Sequence, residues 1–184
     1  QTGINTLNLI LTNMSEATRL EQMLATTEKI KFDLQKVVCS CIAGYQQVYS
    51  DYTFNLATKL SKIEYQGSAE HIVQLLDKVI NNAVEFSQDK AISVELKQQS
   101  NHVELLISNN GVLLPEQLSE SLFDSMVSLR SACSIKNKQQ DQPHLGLGLY
   151  IARLICQFHQ GKISAENHHS PDGVTIKIVL PTKV

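Results

Sequence analysis

The stretch His144-Leu-Gly-Leu-Gly-Leu-Tyr-Ile-Ala-Arg-Leu-Ile155 sets two glycines at the start of an apolar pattern with helical spacing. Gly146 and Gly148 would each cost about 1 kcal/mol inside a helix, so their position indicates a special backbone role. Glycine amides beside the first turn of a helix favour the binding of an anion such as phosphate. The segment therefore predicts a phosphate-binding turn, and a tight loop packed on a helix is the alternative interpretation.

A second segment, Glu70 to Ser87, predicts an amphipathic helix with a single buried stripe. The apolar residues of this stripe are Ile72, Leu75, Leu76, Val79, Ile80, Ala83 and Phe86. Asn82 lies at the edge of the stripe, where a neutral amide needs a partner. Its carbonyl oxygen suits Mg²⁺, which takes its other ligands from water and substrate phosphates. A solvated or core-bonded amide is the alternative.

Helical and strand patterns are mixed along the rest of the chain. A helix is expected from Phe32 to about Tyr49, with a hairpin that turns between Gln99 and Asn101 further on. The expected strands are Thr53 to Thr58, a short one near Ile63, Ile92 to Gln98, His102 to Ser108, Lys162 to Asn167 and Val174 to Leu180. This order predicts an α+β fold, a two-layer sandwich in which helices cover one face of a sheet.

The N-terminal region predicts a long helix with a seam for another helix. Its apolar residues follow a three-four spacing at Ile4, Leu7, Leu11 and Met14 and then drift to Ala17, Leu20 and Leu24. The expected partner is the same helix of a second chain, which gives a homodimer, or an absent first helix of a hairpin. Packing on its own domain is the alternative. We therefore divide the chain into residues 1–31 and a compact domain over residues 32–184.

Composition limits the possible partners and the cellular compartment. Sixteen basic against 18 acidic residues give a formal net charge of −2, so we expect no nucleic-acid partner and no membrane contact. No apolar run approaches the roughly 20 residues that cross a bilayer. Cys39, Cys41, Cys133 and Cys156 lack metal-ligand spacing and are interpreted as reduced small hydrophobes in a cytoplasmic protein.

These segments resemble, in order, the boxes of the ATP-binding domain of sensor histidine kinases and of the wider GHKL ATPase superfamily. The Glu70 to Ser87 helix corresponds to the N box and the glycine pair to the G2 box. Ile107-Ser-Asn-Asn-Gly-Val-Leu-Leu-Pro115 resembles the G1 box, and Leu122-Phe-Asp-Ser-Met-Val-Ser-Leu-Arg130 the F box. The residues of the F box and of the G2 segment, Leu122 to Arg130 and His144 to Ile155, are also similar to those of histidine kinases linked to proteobacterial dedicated sortase systems.

The resemblance implies a pocket for ATP and Mg²⁺. Asn82 would hold the metal, Phe86 would pack against the adenine, and Asn109 would accept a hydrogen bond from the adenine amino group. Gly111 would let the backbone pass under the base, and Arg130 would stabilise charge on the transferred phosphoryl group. The other implied nucleotide contacts are Leu114, Phe123, His144, Leu145, Gly146, Leu147, Gly148 and Leu149. The polar residues 131–143 correspond to the ATP lid, from which Lys136 and Lys138 could reach phosphate.

The sequence also departs from the family pattern. Lys78 replaces the first Asn of the N box, Glu85 stands where a basic residue is usual, and Asn109 replaces the G1 aspartate. Leu113 replaces the second G1 glycine, and His144 replaces the leading glycine of the G2 box. Asn109 keeps an acceptor for the adenine amino group, whereas Lys78 cannot ligate Mg²⁺.

The resemblance implies transfer of the ATP γ-phosphoryl group to a histidine of a dimerisation hairpin and then to a response regulator. Residues 1–31 would be the remnant of that hairpin, and no histidine on them could accept the phosphoryl group. The protein would be the cytoplasmic part of an inner-membrane sensor kinase. Two other classes stay open: a pseudokinase that docks a response regulator without turnover, and a clamp or chaperone ATPase. The latter branches usually carry a Glu where this chain has Lys78.

Overall fold

The computed structural model describes residues 15, 17–58, 61–115, 122–124 and 147–182. Its main feature is a five-stranded sheet in which only the first pair of neighbouring strands is parallel. In spatial order the strands are β2 (Thr53–Thr58), β4 (Ser87–Gln98), β5 (His102–Gly111), β7 (Gly173–Pro181) and β6 (Lys162–His168). The sheet is therefore mixed.

Helices cover one face of this sheet. The described part holds α1 (residues 17–26), α2 (Leu34–Val48), α3 (Ala69–Phe86) and α4 (Leu147–Phe158). Along β5, Val103, Leu105 and Ile107 are buried, and the residues between them are only partly buried. This alternation is what a sheet with one covered face requires. The predicted two-layer α+β sandwich is confirmed.

The N-box helix α3 forms the centre of the helical layer. Six residues of its predicted stripe are buried, namely Ile72, Leu75, Leu76, Val79, Ile80 and Ala83, and Phe86 is partly buried. Each buried aliphatic side chain of this size contributes about 1.5–3 kcal/mol of burial free energy. The helix contacts β4 and β5 below it and α2 and α4 on either side. The stripe therefore anchors α3 rigidly over the sheet.

A small second sheet corrects the predicted start of the second helix. We expected that helix to begin at Phe32, but Ile30–Asp33 is strand β1, which pairs antiparallel with β3 (Glu64–Gly67). The helix begins at Leu34 because the Asp33 carboxylate accepts a hydrogen bond from the Lys36 backbone N–H, a helix cap. The same carboxylate accepts from the Ile63 backbone N–H at 3.2 Å, and these bonds lower the pKa of Asp33.

The described part of the N-terminal helix packs on the core of its own chain. Leu20 and Leu24 of α1 are buried in that core, and the Tyr150 hydroxyl of α4 donates to the Glu21 carboxylate at 3.1 Å. The earlier seam residues Ile4, Leu7, Leu11 and Met14 lie outside the described residues. Among the described residues, no helix is both long and apolar enough to span a membrane.

Candidate functional site

One face of α3 runs from the first turn of α4 to the end of β5. Lys78, Asn82 and Phe86 follow one another at intervals of four residues, which places them on a common helix face. At the rise of an α-helix, the first and last of them are separated by about 12 Å along the axis. We refer to the region beside this face, where α3 contacts α4 and the sheet, as the candidate cleft.

The first end of the cleft joins the N-box helix to the glycine segment. A Cβ added to Gly148 would meet one described atom within 4 Å, the Lys78 Cδ at 3.9 Å. Gly148 lies within the first turn of α4, since this helix includes Leu147 and Leu149, both of which are buried. The backbone amides of a first helical turn lack helical partners and carry partial positive charge. The aliphatic part of the Lys78 side chain lies beside this turn.

Two adjacent amides on α3 have different surroundings. The Asn81 Oδ1 accepts a hydrogen bond from the Tyr49 hydroxyl at 2.6 Å, and its Nδ2 donates to the Asp77 carboxylate at 3.1 Å. Asn82, by contrast, is half-buried and has no hydrogen-bond partner for its side chain among the described residues. Of the two amides, Asn82 is therefore the one that is available to a ligand.

The other end of the cleft is very tight. A Cβ added to Gly111 would lie well under 3.0 Å from the Phe86 carbonyl oxygen, so the end of β5 and the end of α3 touch through their backbones. The same point is 3.5 Å from the Asn109 Nδ2. The predicted base contacts Phe86, Asn109 and Gly111 are therefore brought together in the structure. Gly111 is needed here for contact with the chain's own backbone.

Asn109 has an unmet hydrogen-bonding need within the described part of the structure. It is 6% exposed, and its Nδ2 is buried without a hydrogen-bond partner among the described residues. A buried donor that lacks a partner costs about 1–3 kcal/mol of stability, so such atoms in folded proteins are commonly explained by function. A purine base in the cleft would supply the missing partner, and the residue fits the adenine group that the sequence implied.

The segment after β5 is held by a residue that the sequence analysis missed. The Leu114 backbone N–H donates to the Asn167 Oδ1, and the Asn167 Nδ2 donates to the Leu114 carbonyl oxygen, both at 2.8 Å. The Asn167 side chain thus makes the same two hydrogen bonds to the Leu114 backbone that a neighbouring strand would make. Leu114 itself is buried and belongs to the core. No pattern in the sequence links two residues that are 53 positions apart.

The described part of the F box is tied to α4. Phe123 and Leu122 are buried in the core, and Asp124 forms an ion pair with Arg153. The Arg153 guanidinium also lies 5.4 Å from the centre of the Tyr150 ring. Sequence reasoning did not single out Arg153, because its role depends on where the F box returns to the helix.

Some predicted site residues lie outside the described residues. These are Arg130, His144, Leu145 and Gly146, together with Lys136 and Lys138 of the expected lid. A separate open depression of about 510 Å³ shares only Gly111 with the predicted site. Its lining residues are Gln88, Asp89, Asn110, Gly111, Val112, Leu113, Pro171 and Asp172.

The candidate site thus lies in a two-layer α+β sandwich, with Lys78 beside Gly148 and with Asn82 on the same face of α3. The profile of the family described as histidine kinase-, DNA gyrase B- and HSP90-like ATPase matches residues 67–184. The chain belongs to this ATPase family.

Individual relatives are sensor kinases. The signal transduction histidine-protein kinase ArlS of Staphylococcus haemolyticus is 25% identical over 185 residues, which are 95% of this chain and 40% of ArlS. The sensor protein kinase WalK of Staphylococcus aureus is 27% identical over 155 residues, or 83% of this chain and 36% of that protein. The chain thus spans about two fifths or less of the length of these curated relatives.

Solved structures share the fold. The catalytic domain of the histidine kinase ThkA superposes with a TM-score of 0.71 at 22% identity, covering 85% of this chain and 98% of that one. The full-length ShkA structure in complex with AMPPNP has a TM-score of 0.73 at 13% identity, and the match covers 96% of this chain and 36% of ShkA.

Proposed function

We propose that this chain is the ATP-binding catalytic part of a sensor histidine kinase. It would bind Mg²⁺-ATP and transfer the γ-phosphoryl group to a histidine of a dimerisation hairpin, from which the group passes to a response regulator. The observations that carry this proposal lie along one face of α3: Lys78 approaches Gly148 of α4 at one end, and at the other Phe86 meets Gly111 beside the Asn109 amide, whose nitrogen has no partner among the described residues.

The two ends of the cleft match the two ends of a nucleotide. The base would lie against Phe86 and pair with Asn109, and the phosphates would meet the α4 first turn and the Lys78 ammonium. Asn82 lies between them, and its amide oxygen would hold Mg²⁺. The bound metal would bridge phosphate oxygens and offset their negative charge. Positioning and charge neutralisation are what phosphoryl transfer requires of this domain.

The partners follow from the same assignment. The ThkA histidine kinase has been solved in complex with the response regulator protein TrrA, and that structure matches all of this chain with a TM-score of 0.70. A response regulator is accordingly the proposed partner here. Residues 1–31 would contribute to the hairpin that pairs two chains, because their seam residues Ile4, Leu7 and Leu11 follow a coiled-coil spacing.

One observation favours a second candidate, a docking module without turnover. The Lys78 side chain, which stands where the family has an amide, approaches Gly148 with its Cδ 3.9 Å from the position of an added Cβ. An ammonium group donates hydrogen bonds and cannot ligate Mg²⁺. If the ammonium charge replaces that of the metal, the nucleotide will bind equally well with Mg²⁺ and with EDTA.

The test compares two neighbouring amides by calorimetric titration of the 184-residue chain with ATP. Asn82→Ala is expected to weaken Mg²⁺-ATP binding by at least about tenfold, since the loss of one charge-assisted contact costs about 1.5–3 kcal/mol. Asn81→Ala is the matched control: it removes the bonds to Tyr49 and Asp77 and leaves the affinity unchanged.

The outcomes separate the candidates. Magnesium-dependent binding that Asn82→Ala abolishes supports the kinase. Tight ATP binding whose affinity is the same with EDTA as with Mg²⁺ supports the docking module. A chain whose thermal midpoint does not move with saturating ATP contradicts the kinase and favours a docking module that needs no nucleotide.

A further inference from the structure

Asn109 ends a row of core residues on the face of the sheet that the helices cover. Val103, Leu105 and Ile107 precede it at intervals of two on β5, and all three are buried. Successive residues of a strand alternate between the two faces, so the Asn109 side chain points into the same layer as the apolar ones. An amide in that layer is costly unless a partner satisfies it.

No described residue fixes the orientation of the Asn109 amide. Its Nδ2 is buried without a partner among the described residues, and no hydrogen bond from those residues goes to its oxygen. Asn167 provides the contrast: its oxygen accepts from the Leu114 N–H and its nitrogen donates to the Leu114 carbonyl, so turning that amide over would break both bonds. The Asn109 amide, unlike that of Asn167, can be turned over without losing a bond to a described residue.

An amide that can turn over matches two kinds of purine edge. A 6-aminopurine such as adenine presents an N–H donor at position 6 and an acceptor at N1, which the amide oxygen and amide nitrogen satisfy together. A 6-oxopurine presents the reverse, an acceptor at position 6 and an N–H donor at N1, and the rotated amide satisfies these equally well. A carboxylate, which the resembled family has at this position, accepts only and therefore rejects the 6-oxo group.

We propose that the base pocket binds 6-oxopurine nucleotides as well as adenine nucleotides, and that Asn109 is the residue that determines this specificity. The inference rests on the proposed nucleotide site and extends it to the class of base. Pairing through two hydrogen bonds with either edge leaves neither end of the buried amide without a partner. The 6-oxopurine class includes guanosine triphosphate.

The test uses ATP and inosine triphosphate, whose bases differ only in the group at position 6 and the proton at N1. Each is titrated calorimetrically, with Mg²⁺, into the 184-residue chain. The dissociation constants for the unsubstituted chain are expected to agree within about tenfold. Asn109→Asp is expected to weaken inosine triphosphate binding roughly tenfold to hundredfold more than ATP binding, the range of discrimination given by a paired base contact.

A neighbouring amide on the same strand serves as the control. Asn110 alternates to the other face, where its Nδ2 donates to the Asp89 carboxylate at 2.5 Å. Asn110→Ala should leave the ratio of the two dissociation constants unchanged. The thermal midpoints of both variants show whether they fold. The ratio of the two dissociation constants for the unsubstituted chain tests the inference even if a variant fails to fold.

The results distinguish this inference from the proposed function. Binding of ATP with inosine triphosphate more than about tenfold weaker overturns the inference and leaves the nucleotide site intact. An equal loss of both nucleotides in a folded Asn109→Asp chain also overturns it. If neither nucleotide binds the unsubstituted chain, the proposed function fails and the inference fails with it.

Discussion

At the scale of single residues, two glycines of the site are constrained by different neighbours. Gly111 lies against the Phe86 carbonyl, so the backbone leaves no room for a side chain. Among the described residues, a Cβ added to Gly148 would meet only the Lys78 Cδ, at 3.9 Å. The packing of the described residues therefore requires glycine at the first position but not at the second, where the proposed phosphate contact gives the reason.

This difference predicts opposite effects of the same substitution on stability. Gly111→Ala should lower the free energy of unfolding by about 1–3 kcal/mol, because the strand or the helix end must move. Gly148→Ala should raise it by up to about 1 kcal/mol, since alanine is the better helix former. Urea unfolding of the two variants measures both changes. Equal shifts would contradict the close contact at Gly111.

At the scale of elements, the N-box helix α3 depends on a buried histidine of α4. The Ser68 side chain caps α3 by accepting from the His71 N–H, and the Ser68 backbone N–H donates to the His159 Nε2 at 3.0 Å. The His159 Nδ1 donates in turn to the Ile155 carbonyl at 2.8 Å. Both bonds need a neutral ring with its proton on Nδ1. The imidazole therefore connects the two helices that form the site.

This connection predicts a loss of stability in mild acid. Burial lowers the pKa of His159 to about 4, and in the unfolded chain the ring titrates near its ordinary value of 6.5. Because the folded-state pKa is the lower one, the unfolded chain binds the extra proton between these values. The contribution of neutral His159 to the free energy of unfolding is fully present above about pH 6.5. It decreases to zero as the pH falls through about 4, and its total is about 3 kcal/mol.

Chemical unfolding at a series of pH values checks this prediction. His71, whose pKa is also lowered by burial, adds a change of the same sign. His159→Gln should flatten the profile between pH 4 and 6.5. His169→Gln, at a largely exposed side chain paired with Asp172, should leave the profile unchanged. A profile that keeps its slope without His159 would contradict the assignment.

At the scale of the whole molecule, the segments that border the expected lid are tied to one core. The Asn167 side chain holds the segment after β5, and the Arg153 ion pair with Asp124 holds the F box against α4. Both contacts join segments that are distant in sequence. They allow the cleft to keep its shape on both sides of residues 125–146.

The Asn167 tie predicts a stability change that exceeds that of an exposed amide. Asn167→Ala leaves the Leu114 N–H and carbonyl without partners and should lower the free energy of unfolding by about 1–3 kcal/mol. Asn110→Ala removes an exposed bond to Asp89 and should cost less than about 1 kcal/mol. Denaturant titrations compare the two. Similar losses in the free energy of unfolding for the two variants would indicate that water replaces the hydrogen bonds of Asn167.

Local sequence patterns determined most of the architecture. The alternation in β4, β5 and β7 and the stripe of α3 predicted their elements to within a few residues, because hydrophobic periodicity is a local signal. The predicted association of the N-box helix, the G1 segment and the G2 helix followed from the order of these motifs. Asn82, Asn109 and Gly148 were all named from the sequence.

Tertiary structure determined which polar side chains have hydrogen-bond partners within the described part of the protein and which do not. The strand at Ile30–Asp33 has a pattern too short to signal a strand and forms by pairing with β3. Within the described residues, Asn81 and Asn167 have hydrogen-bond partners, whereas Asn82 and the Asn109 nitrogen do not, and this difference depends on contacts between distant segments. Hydrogen-bond partners are set by three-dimensional proximity, and one sequence without its fold carries no local signal for them.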